Sequence, residues 1–408
     1  MIALTLIALV PWLQASTPSA SDSWESLTQA YRKAFEERHA RTSRDPSLDL
    51  PMPEPEYQER FLALAEGGEF RATLWLLAHF EEQHAARLLT VVEAAGENGL
   101  LPTAMHGLAR HAGSFETARL AELFERHLAS ATAPDVRAVA ALALARIQPA
   151  SEQVQARDLL VWAAMTYFRG VDLAPGETLA PEDLDELAVA FVEKLAKESG
   201  AHFQRAYYKG PDNIYFPLPD APADPDELWR PAMEELARRG ARKAQFWALE
   251  NAPWDLDAAA KERLKGYFTA FTSAPFAADE LADFGYQINS LVYRLGIEVV
   301  EPGVRRLIEL SPEGARAGLL FGLGTALCEA AGEDKAKTER GLALLTEVKE
   351  RWPTSDQAKS AEGRLFRYTK LAIGEVCPDF ETVDADGNAF KLSDYKGKVT
   401  VIDFWGFW

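Results

Sequence analysis

Apolar residues recur at spacings of three and four along most of this chain, and the pattern stops near Leu371. This spacing is typical of amphipathic helices that bury one face. The first such stripe consists of Trp24, Leu27, Tyr31, Ala34 and Phe35. Alternation of apolar and polar residues is almost absent before Leu371. We therefore expect stacked helical hairpins in a solenoid-like array over residues 24–310, without a repeat of fixed length.

A stretch rich in proline, glycine and aspartate interrupts the helical pattern at residues 209–225. Its prolines exclude a continuous helix. It is either an ordered loop that tucks Tyr215 and Phe216 against the helices or a linker that divides the helical region in two. The aromatic residues favour the ordered loop.

Residues 314–371 show a more regular helical pattern. The predicted helices are Ala315–Ala330, Gly341–Trp352 and one that begins at Ser355 or Asp356 and ends near Leu371. In the first helix, Gly322 and Gly324 would let a neighbouring helix approach closely. These small residues and the Trp352-Pro353 stop resemble tetratricopeptide repeats. That resemblance implies at most a scaffold for peptide docking or dimerisation.

The periodicity changes after Leu371, so we place a domain boundary near Gly374. Residues 379–384 and 388–392 read as two strands joined by a turn at Asp386-Gly387, where glycine tolerates a positive φ. Residues 399–405 form an apolar, β-branched run that predicts a strand buried on both faces. The expected fold is thus mainly α, followed by the first strands of a smaller α/β domain.

Four pieces of this C-terminal region carry a family resemblance. They are Ile373–Phe380, Asp386-Gly387, Leu392–Lys398 and Val401–Trp408. In their order and spacing they resemble the start of the TlpA/ResA-type branch of the thioredoxin superfamily. Redoxins and peroxiredoxins share the Pro-Asp-Phe and Leu-Ser-Asp-Tyr pieces, so a peroxiredoxin-like antioxidant is an alternative. The Phe-Trp-Gly-Phe-Trp ending favours the thioredoxin-like branch for residues 373–408.

The resemblance implies a thiol–disulfide oxidoreductase without a cofactor, acting on protein disulfides or dithiols. A Cys-x-x-Cys motif would follow Trp408, its first cysteine attacking a disulfide and its second resolving the mixed disulfide. Asp403, Trp405 and Trp408 are the supporting residues. Asp403 would be buried and accept a proton from the second cysteine, although a surface position at a strand end is the alternative.

No Cys-x-x-Cys occurs in the 408 residues, so the catalytic residues are not in this chain and we expect it to be inactive as given. The resemblance stops directly before the expected nucleophile. One explanation is a selenocysteine codon, UGA, read as a stop after Trp408. A nonsense mutation or sequencing error and the end of a sequenced contig are the others, and the nucleotides after the Trp408 codon distinguish them.

Two cysteines occur, Cys328 and Cys377, which excludes a disulfide-stapled scaffold and a cysteine-rich zinc site. Cys377 is a candidate redox thiol, but inert roles for both cysteines are favoured. Histidines are concentrated in one region but lie at spacings that do not pair them on a helix face. We expect helix-surface histidines and no metal site there. They are His79, His84, His106, His111 and His127.

A dense set of aromatic residues follows the interruption, and we expect it to form helix–helix core rather than a ligand groove. Its members are Trp229, Phe246, Trp247, Trp254, Tyr267, Phe268 and Phe271. The net charge of −19 argues against binding to nucleic acid or an anionic membrane.

An apolar run with small residues near Ala15 predicts a signal peptide over residues 1–20, and thus export to the periplasm or the extracellular space. No membrane span is expected in the mature chain. A rival interpretation remains open, in which the chain is a helical-repeat binding scaffold with a vestigial redox fragment.

Overall fold

The computed structural model describes residues 23–45, 47–48, 50–149, 152–169, 181–210, 214–218, 220–275, 281 and 284–403. The predicted signal peptide, residues 1–20, lies outside this set. The chain divides into two compact units, Met1–Ala248 and Leu249–Trp408. Helices dominate both units, which confirms the mainly α prediction.

Ten helices and a short β-ribbon are described in the first unit, and an eleventh helix spans the boundary. The helices are α1 (Trp24–Arg44), α2 (Glu54–Glu66), α3 (Phe70–Ala78), α4 (Ala85–Ala94), α5 (Leu101–Arg110), α6 (Thr117–Ser130), α7 (Pro134–Ile147), α8 (Gln153–Ala164), α9 (Pro181–Ala206), α10 (Pro225–Arg238) and α11 (Arg242–Glu250). Strands β1 (Tyr207–Lys209) and β2 (Tyr215–Pro217) follow α9.

Helix α1 begins where Ser23 caps it. The Ser23 side chain accepts the backbone N–H of Ser26, and the Ser26 hydroxyl accepts the N–H of Ser23 in return. Its apolar stripe then packs on α2 and α3, where Phe61 stacks on Trp75 with ring centroids 4.1 Å apart. Aromatic rings therefore fill the N-terminal end of the core of this unit.

The interruption at 209–225 is ordered wherever it is described. Strands β1 and β2 pair antiparallel with Tyr208 opposite Phe216. The Phe216 ring is buried and meets the ring of Phe35 edge-on at 5.8 Å. The ordered-loop interpretation is confirmed for Phe216, whereas Tyr215 is half exposed. The ribbon lies within the first unit.

Six helices and a hairpin are described in the second unit. They are α12 (Ala258–Phe271), α13 (Phe284–Leu295), α14 (Ile297–Leu310), α15 (Glu313–Glu329), α16 (Lys335–Arg351), α17 (Asp356–Lys370), β3 (Glu381–Val383) and β4 (Ala389–Lys391). Ser355 caps α17 by accepting the N–H of Ala358 at 3.0 Å, as predicted. Helix α16 begins earlier than predicted because Asp334 caps it.

Glycines set the closest helix crossings of this unit. On α15, Gly322 faces the backbone carbonyl of Gly285 on α13 so closely that no side chain fits between them. On α16, a Cβ at Gly341 would lie 2.6 Å from the Sγ of Cys328 and 2.7 Å from the carbonyl oxygen of Gly324. The small residues noted in the sequence thus do allow close helix approach.

Most of the aromatic set is core, as expected, with one exception. Trp229, Phe268 and Phe271 are almost fully buried, and Phe246 and Trp247 are buried as well. Tyr267 is partly buried, and Trp254 is the one exposed member, with 65% of its surface accessible. Trp254 lies in the connecting segment before α12. The density of aromatic residues in the sequence does not distinguish such a segment from the buried faces of the helices.

Candidate functional site

The C-terminal segment begins with the hairpin that its sequence predicts. Strand β3 pairs antiparallel with β4, with Thr382 opposite Phe390. Gly387 in the turn has φ of +84°, a conformation that glycine adopts without strain. The Asp384 carboxylate accepts the backbone N–H groups of Asp386 and Asn388, at 2.9 and 2.8 Å. These bonds, led by that from Asn388, lower the pKa of Asp384.

Two separate motif pieces meet directly. The Asp379 carboxylate of the Pro-Asp-Phe piece accepts both the backbone N–H and the hydroxyl of Ser393, each at 2.8 Å. The backbone N–H of Leu392 donates to the carbonyl of Phe380 at 3.1 Å. The bonds from Ser393, the side chain first, lower the pKa of Asp379. Charge-assisted bonds thus hold the two pieces together across 14 residues of sequence.

Cys377 lies in a cleft of about 700 Å³ beside this contact. Its thiol is free and exposed. The ammonium-bearing side chains of Lys370 and Lys396 line the same cleft, together with Phe366 from α17. The sequence named Cys377 as a candidate thiol but did not reveal these lysines, because α17 and the turn after β4 approach one another only in the folded chain.

Cys328 has a different environment. It is buried in α15, with its Sγ 3.8 Å from the carbonyl oxygen of Thr338, and burial raises its pKa to about 11. A buried thiol with a raised pKa is a poor nucleophile. Cys328 is therefore a packing residue at the α15–α16 crossing, in line with the inert role favoured for it.

The predicted strand at 399–405 does not form in its described part. Residues 399–403 have no regular structure, and Val399 and Val401 are 98% and 87% exposed. A strand is held by hydrogen bonds to neighbours, and among the described residues β3 and β4 pair only with each other. Asp403 is exposed, whereas the resemblance implied a buried position. Trp405 and Trp408 lie outside the described residues.

The histidines are not all on the surface, which corrects the sequence-based expectation. His84 and His127 are buried. His106 on α5 is partly buried, and this burial lowers its pKa to about 4. His111 stacks on Phe80 with ring centroids 4.4 Å apart. Burial also lowers the pKa of His111 and of His127, which favours the neutral imidazole at these two positions. Within the described ranges, no three metal-ligating side chains converge.

Comparison with known proteins gives short partial matches. The chain is 45% identical over 40 residues to thiol–disulfide oxidoreductase ResA of Geobacillus kaustophilus, which is 10% of this chain and 23% of that protein. It is 36% identical over 47 residues to ResA of Bacillus thuringiensis subsp. konkukian, 12% of this chain and 27% of the relative. This chain contains a region similar to thiol–disulfide oxidoreductases.

The similarity is local. The chain spans about a quarter of the length of the curated relatives it matches. The matched length is close to that of residues 373–408, which carry the motif pieces. No protein-family model and no solved structure matches the chain. The tetratricopeptide resemblance of residues 314–371 therefore stays a prediction.

Membrane-spanning helices were sought among the described residues. None of the helices there combines the length and apolar character needed to cross a bilayer.

Proposed function

We propose that this chain carries the leading part of a thioredoxin-like domain of the TlpA/ResA type on a helical scaffold, and that the complete protein is an exported thiol–disulfide oxidoreductase. The contact between Asp379 and Ser393 carries the proposal. It joins two pieces that resemble this family in sequence, so the resemblance extends to a folded element. The similarity to ResA over 40 residues supports the same interpretation.

Exposed apolar side chains of the same segment support this proposal. Val376, Val399 and Val401 are each more than four-fifths exposed, and Ile402 and Phe380 are exposed as well. Several exposed apolar side chains within one short segment indicate a surface that another element covers. We propose that further strands and helices of an α/β domain cover these apolar side chains.

The proposed reaction is thiol–disulfide exchange with a protein partner. A thiolate attacks one sulfur of the substrate disulfide, which forms a mixed disulfide and releases the other sulfur as a thiolate. A second thiol then displaces the substrate, so the substrate gains two electrons and the enzyme disulfide forms. The cysteines of the 408 residues do not supply this pair, because Cys328 is buried and Cys377 stands alone in its cleft.

The test compares the 408-residue chain with the same chain extended after Trp408 by the remainder of a ResA domain, beginning with Cys-x-x-Cys. We expect the extended chain to reduce insulin with dithiothreitol as the electron donor and the 408-residue chain not to do so. An extended chain with Ser-x-x-Ser is the matched control, and near-ultraviolet circular dichroism checks that both extended chains fold.

Two results would contradict the proposal. One is a folded extended chain that does not reduce insulin above the rate of its serine control. The other is reduction by the 408-residue chain that Cys377→Ser abolishes, since this would place the activity in a single exposed thiol.

A further inference from the structure

A second cleft, of about 870 Å³, lies in the first unit and far from the redox segment in sequence. It is formed by the N-terminal half of α1, by Arg71 of α3 and by the end of β1. Its size falls in the range of ligand-binding clefts, about 300–1,000 Å³. Nothing in the proposed redox function uses it.

The charge of this cleft is opposite to that of the whole chain. Four basic side chains line it, against the two acidic side chains of Glu25 and Glu36, whereas the whole chain has a net charge of −19. The basic residues are Arg32, Lys33, Arg71 and Lys209. Glu36 already accepts a hydrogen bond from the Tyr208 hydroxyl at 3.1 Å. Two of these cations already have acidic partners outside the lining, since Lys33 pairs with Glu37 and Arg71 with Glu69, so the positive charge that attracts anions comes chiefly from Arg32 and Lys209.

Arg32 has unused hydrogen-bonding capacity. Its guanidinium carbon lies 4.6 Å from the centre of the Tyr208 ring, which fixes the group by a cation–π contact. Its Nε is shielded from solvent and has no hydrogen-bond acceptor among the described residues. A guanidinium in this state binds a carboxylate with a smaller desolvation cost than one that is fully hydrated.

The guanidinium group of Arg71 is also fixed by an aromatic ring. It lies over the Trp24 ring at 5.0 Å and pairs with Glu69 at 2.7 Å. Its other partner, Glu25, is 3.5 Å away and 75% exposed. An exposed pair of this kind contributes little, so a ligand carboxylate can replace Glu25 on Arg71 without a large loss.

We propose that this cleft binds an acidic segment of a partner polypeptide. Its carboxylates would pair with Arg32, Arg71 and Lys209. The cations come from three separate elements, and the cleft is much larger than one carboxylate, so a peptide fits it better than a single small anion. The proposal is independent of the redox function.

Isothermal titration of the 408-residue chain with acetylated hexaglutamate tests this proposal, with hexalysine and free glutamate as comparison ligands. Since the chain is strongly acidic, binding of hexaglutamate requires a local positive site. We expect Arg32→Gln to raise the dissociation constant about tenfold, as for the loss of one charge-assisted hydrogen bond. Lys209→Gln should raise it less, because Lys209 is an exposed point charge.

Arg41→Gln is the matched control. It makes the same charge change on the same helix, about 14 Å along α1 from Arg32, and should leave the affinity unchanged. Far-ultraviolet circular dichroism verifies that each variant is folded. Absence of hexaglutamate binding to the unaltered chain would overturn the proposal. So would equal weakening by Arg41→Gln, or free glutamate binding as tightly as the hexapeptide.

Discussion

The α15–α16 crossing predicts a loss of stability for Gly341→Ala. A methyl group at this position would meet Cys328 Sγ at 2.6 Å and the Gly324 carbonyl oxygen at 2.7 Å, both closer than van der Waals contact. Overpacking of this kind costs about 1–3 kcal/mol, while alanine in a helix interior returns up to about 1 kcal/mol. Because the contact with the Gly324 carbonyl is with fixed backbone, the upper part of the overpacking range applies, about 2–3 kcal/mol, and we expect a net loss of about 1–2 kcal/mol in the free energy of unfolding.

Gly363→Ala provides the matched control on the neighbouring helix α17. It is the same substitution in a helix interior, but nothing lies within 4 Å of the added methyl group. It should stabilise by about 0.5–1 kcal/mol, since only the helix propensity changes. The two variants should thus shift in opposite directions.

Urea unfolding followed by circular dichroism at 222 nm measures both variants. The double variant Gly341→Ala with Cys328→Ala separates the two contacts of the added methyl group. It removes the sulfur contact but not the contact with the carbonyl of Gly324, so it should recover only part of the loss. If the Gly341→Ala chain were as stable as the Gly363→Ala chain, α15 and α16 would not approach each other as closely at this crossing as described.

Three further predictions concern titration and the redox segment. Ellman's reagent should modify Cys377 rapidly and Cys328 only on unfolding, and a native chain with two fast thiols or none would contradict the assigned burial. His106 has its pKa lowered from 6.5 to about 4 by burial, so the unfolded chain binds more protons between these values. Stability should then fall as the pH drops through that window, and His106→Gln should flatten the urea midpoint measured against pH. Asp379→Ala should speed proteolysis between residues 374 and 396, whereas Asp386→Ala, which changes a side chain outside the Ser393 contact, should not.

The sequence predicted the features that local interactions determine. The cap at Ser355 and the turn at Gly387 both depend on residues a few positions apart, and both were found where expected. Helix α16 begins at Lys335 and not at the predicted Gly341, because the Asp334 cap and not the apolar stripe determines where the helix starts. Local patterns carry this information because helices and tight turns satisfy their backbone groups within a few residues.

The features that the sequence did not predict depend on distant partners. The apolar run at 399–405 has strand composition, but a strand also needs a neighbour for its backbone, and the described part has none. The cleft that joins Arg32 to Lys209 brings together residues from opposite ends of the first unit. The burial of His84 was missed because helical spacing alone does not show which face a neighbouring helix covers.

The motif pieces shared with thiol–disulfide oxidoreductases have a structural role in this chain. Asp384 binds the N–H groups of its own turn, and Asp379 binds the N–H and hydroxyl of Ser393. Both carboxylates have lowered pKa values because they accept hydrogen bonds. A carboxylate of this kind stays ionised at neutral pH and does not act as a general acid. In this region, which is similar to thiol–disulfide oxidoreductases over a short stretch, the two aspartates therefore stabilise the hairpin and the turn that follows it.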